Sequence, residues 1–298
     1  MADVAKQAAK SPGGAAEKSA TNGSSEPGHV PEGAKDPEAG TRYSAEEIHE
    51  HILTDADEEM DRPVGELAYS GLAAGLGMGF SMLASALLVS RMAPANEPLA
   101  KAIAYPLGFI FVVLARHQLF TENTLEPVIP LLERHNGEAL RRVLRLWGIV
   151  LPVNLIGAAI FALVIARTNV LEPNLDAALL KLTRGATEGG ALLVFYRAIW
   201  AGWLVALMAW LLASTRDTLA QIALIWLTTA PIAAFGFRHS IAGAVEAFYR
   251  VWIGDLRLGT MFTSYELPAL AGNIVGGVVL VALVNHGQVG SKEKKHKG

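Results

Sequence analysis

Gln118-Leu119-Phe120-Thr121-Glu122-Asn123 and Phe237-Arg238-His239-Ser240 interrupt two otherwise apolar segments of a 298-residue chain, at corresponding places in its two halves. Paired interruptions of this kind in membrane helices mark a binding site or a pore. Their meaning depends on whether the segments around them cross a membrane.

Composition supports that they do. Hydrophobic residues make up 52% of the chain even though its first sixty residues are polar, so the remainder is apolar beyond the habit of soluble domains. Apolar stretches run roughly over 66–90, 102–132, 146–166, 189–213, 219–253 and 264–285. Crossing a bilayer core takes about 20 apolar residues in a helix. Four stretches fit simple spans, whereas the second and fifth are longer and broken. Broken helices expose backbone groups that lipid cannot satisfy, so both breaks are expected to face protein or a water-filled cavity.

Positive charge orients the chain. With both termini cytoplasmic, six spans place Arg134, Arg141, Arg142, Arg145, Arg216 and the terminal lysines inside, against Arg91, Lys101, Arg167, Lys181, Arg184 and Arg257 outside. The excess favours this orientation, and the expected location is the inner (plasma) membrane. The chain divides into a cytoplasmic tail over 1–62, a transmembrane domain over 63–287 and a basic cytoplasmic tail over 288–298. Residues 1–42 lack hydrophobic period and are expected to be disordered. Ser44 and Glu47 stand at capping-box spacing before a short acidic amphipathic helix. His49 and His51, two apart, point away from each other on a helix and read as a solvated face rather than a metal pair.

An internal echo links the halves. Leu151-Pro152 precedes Asn154-Leu155-Ile156-Gly157, and Leu267-Pro268 precedes Asn273-Ile274-Val275-Gly276. Thr121 lies 33 positions before Asn154, and His239 lies 34 before Asn273. Three spans followed by three more run in opposite senses, so a duplicated unit is an inverted repeat. Asn154 and Asn273, amides among small residues, read as structural cross-links between helices rather than substrate ligands.

These residues resemble the formate/nitrite transporter family over roughly 66–285. Leu119-Phe120-Thr121 with Asn123 resembles its Leu-Phe-Thr-Gly-Asn break, Gly236-Phe237 with His239-Ser240-Ile241-Ala242 resembles its Gly-Phe-Glu-His-Ser break, and Gly272-Asn273-Ile274-Val275-Gly276-Gly277 resembles its sixth segment. The resemblance implies an all-α, aquaporin-like protomer of six transmembrane helices, an inverted 3+3 repeat with helices two and five broken, assembled as a homopentamer and carrying small monovalent anions. It places Thr121, Phe120 and Asn123 in the first break and His239, the central pore histidine, in the second. Phe109 and Ile232 fall at the family's apolar constrictions by spacing. Gln118 stands where the family has Glu, Glu122 where it has Gly, Arg238 where it has Glu, and Gly243 where it has Asn. These departures leave the cargo open.

The chemistry expected of the breaks comes from charge. Restarting helices offer free amides and positive dipole ends that suit anions, with Thr121 and Ser240 as candidate caps. His239 can donate a hydrogen bond, carry charge, or lend a proton so that a weak acid crosses neutral. Arg238 either pairs with Glu122 across the breaks or attracts an anion directly. No nucleophile–base constellation, phosphate loop, cofactor motif or metal-ligand cluster points to an enzyme, and absent cysteine removes thiol chemistry. Expected partners are a small anion, lipid and further copies of the chain, not nucleic acid. The rival to transport is a non-transporting assembly or sensor that keeps the fold.

Overall fold

The computed structural model describes residues 43–168, 170–282 and 284, and the regular elements among them are all helical. Residues 1–42 and the basic tail over 288–298 lie outside the described residues.

Helix α1 (Ala45–Asp61) starts at a capping box: the Glu47 amide donates to Ser44 Oγ at 3.2 Å, and the Ser44 amide donates to the Glu47 carboxylate at 2.6 Å. Its histidines do not form a solvated face. His49 is buried 3.5 Å from the Glu133 carboxylate, and His51 lies 3.3 Å from the Ala213 carbonyl. His49 shares a helix face with Ile52, Ala56 and Met60, all buried, at the three-to-four spacing of an apolar stripe. Arg134 and Arg142 both bond Asp57. The Arg134 hydrogen bond holds the Asp57 carboxyl below its usual range, with the charge of Arg142 adding to it.

Helix α2 (Val64–Arg91) packs along α6 (Gly137–Arg167). Gly71, Gly75 and Gly79 allow this approach, since a Cβ at Gly75 would overlap the Asn154 carbonyl and one at Gly79 the Phe161 ring. Between them run α3 (Glu97–Ala104), α4 (Pro106–Leu114) and α5 (Val128–Arg134). α6 begins nine residues before its apolar stretch, because apolarity marks the part in lipid while the helix continues into water with Arg141, Arg142 and Arg145.

The amphipathic helix α7 (Pro173–Thr187) carries no apolar run that would announce it, and buries Leu179, Leu182 and Thr183. It packs on α2 and on α10 (Ser240–Trp252), which comes after α8 (Ala191–Leu212) and α9 (Thr218–Ala234). The last segment comprises α11 (Leu258–Met261), a π-helical turn over Phe262–Glu266, α12 (Leu267–Ile274) and a second π-helical stretch over Val275–Ala282. Pro268 cannot donate to the preceding turn, and widening of a helix beside proline accommodates this loss. α12 packs on α8 at Gly202, where a Cβ would meet the Asn273 backbone.

Among the described residues, four helices are long and apolar enough to cross a membrane: Val64–Arg91, Pro94–Leu114, Gly137–Arg167 and Ala191–Leu212. Thr218–Ala234 is a shorter apolar helix. Large apolar side chains such as Phe80, Leu87, Trp200, Leu227 and Phe235 are exposed outside this bundle, the reverse of a soluble surface.

Candidate functional site

α4 stops at Leu114, and the chain then runs without α-helix until Val128, longer than the six-residue interruption Gln118–Asn123 suggests. α9 stops at Ala234 and α10 starts at Ser240. Both stops share a geometry: the His117 amide donates to the Val112 carbonyl at 3.0 Å and the Phe237 amide to Ile232 at 2.8 Å. The residue before each amide is left-handed, Arg116 at φ 54° and Gly236 at φ 66°.

Two asparagines hold the non-helical stretches after these stops. Asn154 Oδ1 accepts from the Phe120 amide at 2.9 Å, while its Nδ2 donates to the carbonyls of Gln118 at 2.9 Å and Gly71 at 2.7 Å. Asn273 Oδ1 accepts from the Ser240 amide at 2.8 Å, and its Nδ2 donates to Arg238 at 2.9 Å and Ala198 at 2.8 Å. Both amides are fully buried and their main polar groups are satisfied, as burial requires. The breaks therefore correspond residue for residue. Gln118 matches Arg238, Leu119 matches His239 and Phe120 matches Ser240, so Thr121 and His239 are not counterparts.

His239 rather than Ser240 caps α10: its Nδ1 accepts the Ala242 amide at 3.1 Å, and the Ser240 hydroxyl lacks a partner among the described residues. Thr121 makes no cap either. Its Oγ1 lies 2.8 Å from His239 Nε2. Because Nδ1 accepts, the ring proton of the neutral imidazole belongs on Nε2, which donates to Thr121 Oγ1. The Thr121 hydroxyl keeps its own proton, with no acceptor among the described residues. Phe109 packs edge-on against the His239 ring at 5.0 Å, and the Tyr265 hydroxyl donates to the His239 carbonyl at 3.2 Å. That hydroxyl fills the space a side chain at Gly243 would need.

Two cavities flank this pair and have no lining residue in common. The smaller, 190 Å³, is lined by His239, Arg238 and Ile232 of the expected residues. The larger, 640 Å³, is lined by Gln118 and Glu122, together with α1 residues His51, Asp55 and Glu59. Phe109, Phe120, Thr121 and Asn123 are buried between elements and line neither. Phe120 packs on Trp147, whose Nε1 donates to the Asn123 carbonyl at 2.9 Å, and Asn123 Nδ2 donates to Gln118 Oε1 at 3.1 Å. The Arg238–Glu122 pair does not form. Arg238 Nη2 instead donates to the carbonyls of Gly185 at 2.9 Å and Glu188 at 3.2 Å, beside the smaller cavity, while Glu122 faces the larger one.

A model of the family described as formate/nitrite transporter matches residues 46–287. The chain belongs to the formate/nitrite transporter family. Members similar to it include the inner membrane protein YfdC of Escherichia coli, 35% identical over 81% of this chain and 78% of that protein, and a probable formate transporter of Methanothermobacter thermautotrophicus, 28% identical over 74% and 87%. Its fold matches a solved pentameric formate channel with formate bound at a TM-score of 0.64 and 22% identity, covering 74% of this chain and 95% of that one. As a member of this transporter family it is a membrane protein and not an enzyme.

Within this family frame, sequence reasoning passed over Arg197, Lys101, Glu246, Tyr105 and Tyr265 in the smaller cavity. Arg197 and Glu246 carried a usable signal, since an ionisable residue inside an apolar segment is a functional candidate. Glu246 also lies two helical turns beyond His239, on the same face. Near this cavity Arg184 and Arg250 both bond Asp255, and they hold its carboxyl down at about 2. This pairing fastens α7 to the end of α10.

Proposed function

We propose that this chain is a six-span protomer with its second and fifth helices broken, both termini cytoplasmic, that assembles as a homopentamer and passes small monovalent anions through each protomer. α3 with α4 and α5 form the interrupted second span, and α9 with α10 the fifth. The two asparagine clamps support an inverted repeat, and the pentameric formate channel with a similar fold supports the assembly. Residues 63–287 form the transport domain, with α1 at the cytoplasmic mouth of the larger cavity.

The hydrogen bond between Thr121 and His239 carries the reading. His239 lines the smaller cavity, and residues on either side of Thr121 line the larger. An anion passing from one to the other must cross this pair and the buried ring of Phe109. Moving a bare ion into such an interior has an idealised cost of about 20 kcal/mol. Thr121 can offset part of it by donating its free hydroxyl proton to the anion. The imidazole, held by the Ala242 amide, can lend its Nε2 proton through the same hydroxyl as it takes one from water in the smaller cavity, so a weak acid crosses neutral, releases that proton on the far side and carries one proton with each anion. Formate and nitrite have the size and basicity for this route, and Phe120, Asn123, Gln118 and Ile232 shape the passage around it.

Uptake of formate, nitrite, acetate, lactate and hydrosulfide into liposomes carrying the pentamer, at two pH values, tests the reading. Saturable uptake is expected, falling about tenfold or more in Thr121→Val, the effect of one hydrogen bond to a charged group, with the pentamer intact. One observation favours the rival reading of a non-transporting assembly: the two cavities are separate. No flux for any anion on the panel would establish that rival.

A further inference from the structure

The smaller cavity holds a group that the passage past His239 does not use. Arg238 is only 6% exposed, and its Nη2 is committed to the two carbonyls at the end of α7. Its Nε is buried with no hydrogen-bond partner. An orphaned donor on a buried cation demands an explanation. A latch for α7 needs only Nη2.

The surroundings are cationic. Arg197 and Lys101 line the same cavity, and the Arg238 amide lies 3.4 Å from the Arg197 carbonyl, which brings the two arginines to one wall. Among the described residues neither arginine forms an ion pair, and Lys101 is paired with Glu97 at 2.6 Å. Glu246 is the one carboxylate on the lining. Two unpaired guanidinium groups against one carboxylate leave an excess of positive charge in a space of 190 Å³, enough for a small anion with several waters.

We propose that this cavity is an anion-binding station on the α7 side of His239, in which the Arg238 and Arg197 guanidinium groups bind a small monovalent oxyanion of the carboxylate or nitrite type before it reaches the histidine. The two α7 carbonyls occupy only Nη2, so Nε and Nη1 are the donors of Arg238 left without partners among the described residues. An oxyanion supplies the missing acceptor and neutralises the excess charge together. Guanidinium groups suit oxyanions, being less strongly hydrated than ammonium and fixed in plane. The station rests on the transport reading for the ion's onward movement, not for its binding.

The test uses the full-length pentamer with sodium formate as probe, read by uptake into liposomes and by formate-dependent thermal stabilisation in detergent. Arg238→Gln and Arg197→Gln are each expected to raise the half-saturation concentration about tenfold, the loss of one charge-assisted hydrogen bond, and to abolish the stabilisation. Arg197→Gln leaves the α7 latch untouched, which guards against a variant that merely fails to fold, and Arg197→Lys is expected to recover part of the loss. Unchanged half-saturation in Arg197→Gln and in a folded Arg238→Gln, with wild-type uptake present, overturns the station and leaves transport standing. Stabilisation that requires both arginines, without uptake, keeps the station and removes transport. Neither uptake nor stabilisation in the wild type overturns both.

Discussion

In the first break Asn154 takes the Phe120 amide and bonds the Gln118 carbonyl; in the second, Asn273 does the same for Ser240 and Arg238. The backbone is the same, and the side chains on it are not. The first clamp presents Gln118 on the wall of the larger cavity and buries Leu119 and Phe120 in the apolar core. The second presents Arg238 and His239 on the wall of a cavity. At the middle position of the two matched clamps one side supplies packing, Leu119, and the other chemistry, His239, with Thr121, just beyond the first clamp, as the bridge. The frame can stay fixed because its hydrogen bonds are made by the backbone and one amide, leaving the displayed side chains free to differ.

Removing the clamps should give the largest effect. Asn154→Ala and Asn273→Ala each remove three hydrogen bonds and orphan two buried backbone groups at about 1–3 kcal/mol apiece, the third being a helical carbonyl that keeps its own partner, so both should prevent recovery of folded pentamer, as seen by size-exclusion chromatography and thermal unfolding. A marked inequality between them would refute the equivalence of the two frames.

Next come the residues one position along, which should separate stability from flux. Leu119→Ala should cost about 2–5 kcal/mol of stability as a core truncation with anion selectivity unchanged. His239→Ala should lose about 0.5–2 kcal/mol as a cap and also lose the pH dependence of uptake. Melting temperatures paired with liposome flux decide this; similar profiles for the two variants would remove the division of labour.

The left-handed residues offer a finer contrast. Gly236→Ala should destabilise by about 1–2 kcal/mol, the cost of that conformation for a residue with a Cβ. Arg116→Gly at the matching position should stabilise by up to about 1 kcal/mol through relief of the same strain. Denaturant midpoints measure both, and effects of the same sign would show that the two stops differ.

The smallest effect lies away from the breaks, on α1. Asp57→Asn should lower stability by about 1 kcal/mol or less, as expected for a partly exposed ion pair. A carboxyl held below its ordinary value of about 3.9 gives stability that is fully present above that value and lost as pH falls through its folded value. Protection of α1 against hydrogen exchange should therefore fade only below about pH 4 in the wild type, and Asp57→Asn should remove that transition.

Much of this was legible from residues in order. The apolar segments, the capping box at Ser44, the two asparagines and the place of both breaks are local patterns, and the structure puts helices, a cap and helix stops there. The caps expected at Thr121 and Ser240 did not form: a hydroxyl at a helix start suggests a cap, but His239 Nδ1 reached the Ala242 amide first and Thr121 turned to His239. The pairing of Arg238 with Glu122 failed for a similar reason. Opposite charges in two breaks look complementary in sequence, yet each break faces its own cavity. α7 escaped notice because a helix lying on the bundle needs only a narrow apolar stripe.

Residue order alone was enough to specify a membrane protein built from helices, the family to which it belongs and the two points at which helices stop, because hydrophobic length and short motifs are properties of the chain. Packing in three dimensions settled which residue of one break answers which of the other, how the His239 proton is placed, and that Arg238 lines a cavity with part of its guanidinium unpartnered. The first and last depend on hydrogen bonds between residues 33 to 53 positions apart, and the His239 Nε2 proton finds its acceptor on Thr121, 118 positions away; bonds of such span exist only once the two halves have packed.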